Sequence, residues 1–472
     1  MTDYGVWTLL TPLVTIALAV LTRQVILSLL IGAVVGYTVI AGFNPLAGIA
    51  DALDSYINVF ASAGNTRTIL FCFMVGGIIR LIQITGGTQA IIHGLTERAQ
   101  LVKSPIAVQL LAMLTSMVIF IESSISLMSA GTVSRDLADH YRVSREKMAY
   151  VIQSSCVATC SSVMINGWGA AMMAIIGVQI SRGYLEGEPF SILLASMPYN
   201  LMAWLSLLGV LFYIFSGVSW GPMAKADKRA LQGQVLRQGA LPIAGNQQVE
   251  PVTVNGKASY FIVPLLTIIF MVPLGLWVTG NGNITAGSGS TAVFWAVMAG
   301  TLISLVYFVC GRVLSLDAFF RHLLAGYSDM IPLGAIMSLA FLVGDLSADL
   351  QTGQYITQLI DGVLPAELSA AFVFLIAAVM SLATGTSWGT FAIMIPIGIQ
   401  IGVAADLDPH LLIGASISGA IFGDMTSPIS DTGIVSSMAT GNDHIDHIRT
   451  QFPYILVIGL ISCVLFAFLG SW

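Results

Sequence analysis

Apolar stretches of bilayer-crossing length recur along this 472-residue chain, and nothing constrains its fold more. They lie at 6–21, 25–42, 68–85, 105–121, 148–180, 193–216, 258–279, 291–311, 330–348, 367–383, 388–403, 410–422 and 452–471. A helix needs about 20 apolar residues to cross the hydrocarbon core, so the runs predict about 10–14 membrane segments, some of them half-spans. Inside that core each backbone N–H and C=O must be satisfied by the segment itself, which selects helices over open sheets. The expected fold class is therefore an all-α polytopic membrane protein. Composition agrees: 9% of residues are charged, where a soluble domain has about 25%.

The remaining bulk properties exclude more than they specify. With a net charge of −6 and scattered basic residues, the chain cannot track a phosphate backbone, so no nucleic-acid partner is expected. Cys72, Cys156, Cys160, Cys310 and Cys463 sit in apolar surroundings without Cys-x-x-Cys spacing, and read as small buried hydrophobes. The N-terminal Met-Thr-Asp-Tyr-Gly-Val-Trp lacks a basic n-region, so the run to Leu21 reads as a retained first helix.

One hydrophilic interruption, residues 218–257, divides the chain into halves 1–217 and 258–472. Its Lys225, Lys228, Arg229, Arg237 and Lys257 place it in the cytoplasm by the positive-inside rule. The halves echo each other. Glu122-Ser123-Ser124 precedes Cys160-Ser161-Ser162 as Gly385-Thr386-Ser387 precedes Gly423-Asp424-Met425. The loop between the first pair holds Arg135, Arg142, Arg145 and Lys147; its counterpart holds Asp406 and Asp408 and no Lys or Arg. Opposite charge bias at equivalent places predicts two inverted-topology repeats with discontinuous helices and a site at their interface. Glycine-rich pieces near 86–97 and 352–364 read as re-entrant hairpins or interfacial segments.

The polar residues concentrate in two glycine-broken patches. Pro428 lacks the N–H that would bond the Asp424 carbonyl, so a helix through 422–432 breaks there. The freed carbonyl lies among the carboxylates of Asp424 and Asp431 and the hydroxyls of Thr426, Ser427 and Ser430. These are all-oxygen ligands suited to a hard cation such as Na⁺, or a proline kink whose polar groups satisfy one another. Thr384–Thr390 reads as a second break, or as small residues packing helices. Glu122 is a deep carboxylate suited to carry a proton or face a substrate charge, or else a helix-end glutamate near water. Asp345 and Asp349 share that ambiguity, and Arg80 either pairs with one of them or snorkels. Asn166 and Trp168 suit an organic molecule better than a bare ion. Asp443-His444-Ile445-Asp446-His447 reads as a solvated, pH-sensitive junction. The histidines lie outside the central spans, which argues against an intramembrane enzyme.

Ala383–Thr390, Phe422–Thr432 and Asp443–His447 with Arg449-Thr450-Gln451 closely resemble the NhaC family of sodium/proton antiporters. The resemblance implies an ion-transporter fold of two inverted repeats, Na⁺ coupling and an elevator-like movement. It implies Thr386, Ser387, Asp424, Ser427 and Asp431 as Na⁺ ligands. Glu122, Ser123, Ser124, Ser161, Ser162, Asn166, Trp168, Thr384 and Trp388 are the candidates for substrate or proton. The first half departs from the antiporter pattern, carrying Glu122-Ser123-Ser124 and Ser162–Trp168 where aspartate phrases are expected. The expected function is a Na⁺-coupled secondary transporter, with Na⁺ as coupling ion and H⁺ as the second ion. The alternative is Na⁺-driven symport of an amino or carboxylic acid. A multi-pass protein of the bacterial inner membrane, as monomer or homodimer, completes the expectation.

Overall fold

The structure, a computed structural model, describes residues 4–22, 24–88, 90–91, 103–120, 123–164, 166–242, 256–283, 287–352, 355 and 365–471. Among these are 20 α-helices and no β-strand. Prolines set several helix starts. Pro45, Pro105 and Pro409 occupy the first turn, where no N–H is needed, behind Asn44, Ser104 and Asp408, whose side chains accept the next free N–H groups.

Among the described residues, four helices are long and apolar enough to cross a membrane alone: Ala63–Ile84, Ala258–Thr279, Gly289–Cys310 and His444–Leu469. Counting each bent helix pair as one span raises the number to as many as 8, and shorter apolar helices such as Pro105–Val118 and Ser369–Thr384 remain beside them. The chain is an all-α, multi-pass membrane protein built from two inverted-topology repeats.

The repeat is visible in the helix boundaries. Helices begin at 105, 123, 145 and 167 in one half and at 369, 387, 409 and 431 in the other, a constant offset of 264 (369 − 105). Ser123–His140, Arg145–Ser162, Ser387–Ala404 and Pro409–Thr426 are each 18 residues long. This register differs by one residue from the one expected from the polar clusters, so Asp424 corresponds to Cys160 and not to Ser161. Packing follows the same symmetry. Ser123–His140 packs on Asp431–Thr440 of the second half, and Ser387–Ala404 packs on Gly167–Ser181 of the first. A pseudo-two-fold axis generates such an exchange of partners.

Several expectations are corrected. Pro45–Val59, Ser123–His140 and Leu316–Asp329 are helices although the apolar runs skip them. Small polar residues enter the Ser123–His140 interior because they can bond their own backbone, as Ser134 Oγ does to the Ala130 carbonyl at 2.6 Å. The 148–180 run is two helices, bent by 41°. Within the 218–257 interruption, Gly221–Leu231 is a helix docked through Met223, Ala226 and Ala230. Arg80 approaches Asp329 at 3.8 Å, while Asp345 and Asp349 are both bound by Arg182, at 2.8 and 2.9 Å. Cys310 is exposed, not buried. Residues 89, 92–97, 353–354 and 356–364 of the proposed hairpins lie outside the described residues.

Candidate functional site

Two helix breaks in each half meet. In the second half, Gly385 closes Ser369–Thr384 in the left-handed conformation, with φ +69°. A Cβ there would stand 2.7 Å from the Ile429 carbonyl oxygen, so only glycine lets the 385–386 break press against the 427–430 break. Ser427 is extended, as a residue before proline must be, and ends the Pro409–Thr426 helix. Ser430 then caps the next helix by accepting the Gly433 N–H at 3.2 Å. In the first half, Asn166 caps Gly167–Ser181 by accepting from Gly169, and its Nδ2 donates to the carbonyls of Phe120 (3.1 Å) and Cys160 (2.8 Å). Asn166 thus ties its own break to the neighbouring one.

The halves differ where the sequence suggested. Asp424 is 1% exposed. Ser430 Oγ donates to its Oδ1 and Thr432 Oγ1 to its Oδ2, both at 2.8 Å. At the symmetry-related places stand Cys160 and Asn166, which carry no charge. A carboxylate pocket in one half is an uncharged strut in the other.

Behind Asp424 lies a relay that sequence reasoning missed. Gln153, 0% exposed, donates through Nε2 to Thr432 Oγ1 at 3.0 Å. Its Oε1 accepts from Gln451 Nε2 at 2.8 Å and lies 2.7 Å from His447 Nε2. An amide oxygen only accepts, so His447 donates. Every donor in the series His447, Gln153, Thr432 therefore points toward Asp424. His444 Nε2 donates to the Pro428 carbonyl at 2.7 Å, holding the break from its other side. The Asp443–His447 phrase is thus no solvated junction: His444, Asp446 and His447 are buried, because the last helix starts against this network. One signal was available, a glutamine isolated at 153 among small and apolar residues. Gln153→Leu removes a donor from Thr432 and takes the acceptor from the buried N–H groups of His447 and Gln451, an expected loss of about 2 kcal/mol in chemical denaturation of the purified protein.

A cavity of about 280 Å³ lies at the meeting of the halves. Ser123, Ser124, Trp168, Thr386, Trp388 and Asp431 line it, together with Asp329. The indole rings of Trp168 and Trp388 are 5.5 Å apart, one from each half. The helices starting at Ser123, Gly167, Ser387 and Asp431 all have first-turn residues in this wall. Their N-termini bring partial positive charge to one place.

The other candidates are placed differently. Ser387 Oγ donates to the Ala420 carbonyl at 3.3 Å, and Thr384 Oγ1 to the Met380 carbonyl at 2.9 Å. Ser161 and Ser162 take the amide of Asn200, and Ser427 Oγ accepts from the Ile429 N–H. These groups pin the breaks and do not line the cavity. Glu122 lies outside the described residues. Gly385-Thr386-Ser387-Trp388-Gly389 matches the Gly-x-Ser-x-Gly nucleophile pattern in letters, but a helix precedes it and Ser387 bonds a carbonyl, not a histidine. No group of three or more His, Cys, Asp and Glu side chains suited to a metal ion occurs among the described residues.

Over almost its whole length, 99%, the chain is 27% identical to a protein of Haemophilus influenzae of uncharacterised function, covering 91% of it. It is 30% identical over 163 residues to the Na⁺/H⁺ antiporter NhaC of Alkalihalophilus pseudofirmus, spanning 32% of this chain and 35% of that one. In fold it is similar to MtrF of Neisseria gonorrhoeae, from a class of antimetabolite efflux pumps, with TM-score 0.57 and 15% identity over 89% of this chain and 84% of MtrF. Residues 164–471 match the model of the Na⁺/H⁺ antiporter family. The chain is a secondary transporter, not an enzyme, and belongs to the Na⁺/H⁺ antiporter family.

Proposed function

We propose that this chain is a Na⁺-coupled transporter of the NhaC type that exchanges Na⁺ for H⁺ at Asp424. Asp431, Thr386, Ser387 and Ser427 complete the oxygen shell as the breaks adjust around the ion. The observation that carries this reading is the burial of Asp424 among hydroxyl donors, with no cationic side chain bonded to it among the described residues. At such a place a carboxylate is tolerated with a cation beside it or with a proton on it. Alternation between those two states is the exchange of Na⁺ for H⁺. The halves 1–217 and 258–472, joined by the cytoplasmic linker, would together carry this site through an elevator-like cycle in the bacterial inner membrane.

Reconstituted in proteoliposomes loaded with Na⁺, the protein is expected to acidify the lumen as Na⁺ leaves and H⁺ enters. A lumen that stays at constant pH while Na⁺ flows would rule this reading out.

A second reading, Na⁺-driven carriage of a small organic solute, is favoured by the cavity itself. About 280 Å³ lined in part by two packed indoles exceeds what a single ion needs, a water molecule occupying about 30 Å³. Four helix N-termini suit an anionic group such as a carboxylate. Trp388→Ala discriminates the readings. Ion exchange is expected to change by less than about threefold, because the indole supplies no oxygen ligand, whereas removing a stacking wall worth roughly 1–3 kcal/mol lowers solute affinity at least about fivefold. The readout is the thermal shift given by amino and organic acids with Na⁺ present.

A further inference from the structure

A second cavity, of about 580 Å³, shares no lining residue with the first. It lies among the Pro105–Val118 and Leu201–Ser216 helices, the 141–144 turn and the linker helix Gly221–Leu231. Its wall joins two chemistries. Ile106, Phe215 and Leu231 give it an apolar, exposed flank, and Arg142, Lys147 and Lys228 face a single carboxylate, Asp227.

Asp227 is already occupied. Ser144 Oγ donates to its Oδ1 at 2.6 Å, Ser219 Oγ donates to its Oδ2, and Lys147 Nζ lies 2.7 Å away. Arg142 gives one N–H to the Leu231 carbonyl at 2.9 Å, and Lys228 has no ion-pair partner among the described residues. Two positive charges stay uncompensated.

Gln109 supplies an independent observation. It lines this cavity and is 5% exposed. Its Nε2 donates to the Pro105 carbonyl at 3.0 Å, while its Oε1 is buried without a hydrogen-bond partner among the described residues. A buried acceptor in that state calls for a donor from whatever fills the cavity.

We infer that this cavity binds one anionic glycerophospholipid, its phosphate between Arg142 and Lys228 and a headgroup hydroxyl donating to Gln109 Oε1. The helix ends here carry the basic residues that the positive-inside rule assigns to the cytoplasmic face. Leu114 and Val118 on one helix, and Leu208 and Phe212 on the other, leave exposed apolar faces along which acyl chains can lie. A soluble phosphate would meet the cations and leave that flank uncovered. The bound lipid would brace the linker helix against the bundle, since Arg142 already holds its last carbonyl.

Delipidated full-length protein in detergent is offered phosphatidylglycerol, phosphatidylcholine, phosphatidic acid or glycerol 3-phosphate, and bound ligand is counted by native mass spectrometry. Phosphatidylglycerol is expected to be retained at least tenfold better than phosphatidylcholine, and glycerol 3-phosphate not at all. Each basic residue near an anionic headgroup adds about fivefold, so Lys228→Gln lowers retention about fivefold and the Arg142→Gln, Lys228→Gln double variant about twenty-fivefold. Lys228 is exposed with no partner to lose, so its single variant keeps the test decisive if the double variant does not fold. Gln109→Leu lowers retention of phosphatidylglycerol but spares phosphatidic acid, which has no headgroup hydroxyl. Equal retention of phosphatidylglycerol and phosphatidylcholine, indifference to Lys228→Gln or Gln109→Leu, or capture of glycerol 3-phosphate overturns the assignment.

Discussion

Asp424→Asn is expected to abolish the Na⁺-dependent rise in unfolding temperature and Na⁺-driven lumenal acidification, while folded protein is still recovered. The side chain keeps its shape and loses its charge. Its carbonyl can still accept one hydroxyl, and its amide can donate to the oxygen of the other, so Ser430 and Thr432 keep partners and the 427–430 break stays closed. The cation loses its one fully buried anionic partner. Removing one member of a buried charge pair costs about 3–5 kcal/mol, so apparent Na⁺ affinity should fall at least about a hundredfold. Binding to the native state alone stabilises by mass action: Na⁺ at about 100 times its Kd gives about 2.7 kcal/mol, and after a hundredfold loss the same Na⁺ gives about 0.4 kcal/mol. Asp431→Asn should act more weakly, because Asp431 is exposed to the cavity and its charge is screened by water. Full Na⁺ stabilisation in Asp424→Asn would remove this residue from the site.

Much of this arrangement is legible in the sequence. Apolar run length fixed the membrane class, because lipid leaves the backbone no partner outside its own helix. Pro428 marked the break, because a missing N–H is a local property that no tertiary contact can restore. The inverted repeat was legible only in outline. Helices such as Ser123–His140 are buried by protein and not by lipid, so their small polar sequences fall below any hydropathy threshold, and the register slipped by one residue. The Asp443–His447 phrase was misread for a related reason. Charged and imidazole groups beside a span suggest water, yet here they start a helix whose polar first turns are satisfied by Gln153, Ser436, Ser437 and the Pro428 carbonyl. Those partners lie up to 294 positions away in sequence. Distance of that kind leaves no trace in local pattern: Gln153 stands out alone among small and apolar residues, but its partners appear only when the halves are brought together.

Gly423→Val should damage the same site through packing alone. The Pro409–Thr426 helix carries Asp424 in its last turn and lies along Ser369–Thr384 with Gly419 and Gly423, four apart, on the contact face. A Cβ at Gly419 would stand 2.3 Å from the Phe374 carbonyl oxygen, and one at Gly423 would stand 2.4 Å from the Leu382 nitrogen. Both obstacles are backbone, which cannot step aside by changing rotamer. Ser381 Oγ bonds the Ala420 carbonyl at 2.6 Å across this contact, so separating the helices also breaks that bond. In lipid the hydrophobic effect does not press helices together, and close contact between small residues carries the association. Valine at 423 is therefore expected to cost about 3 kcal/mol or more in detergent denaturation, the upper range for overpacking. Gly64→Ala is the control: at the start of Ala63–Ile84 a Cβ meets only the Ser62 Oγ at 3.8 Å, and stability should hold within about 1 kcal/mol. Because Gly385 ends the partner helix against Ile429, moving the two helices apart also opens the joint between the breaks, and the Na⁺ response should fall with stability. A Gly423→Val protein that unfolds like the parent and responds fully to Na⁺ would show that the spacing of these helices does not set the ion site.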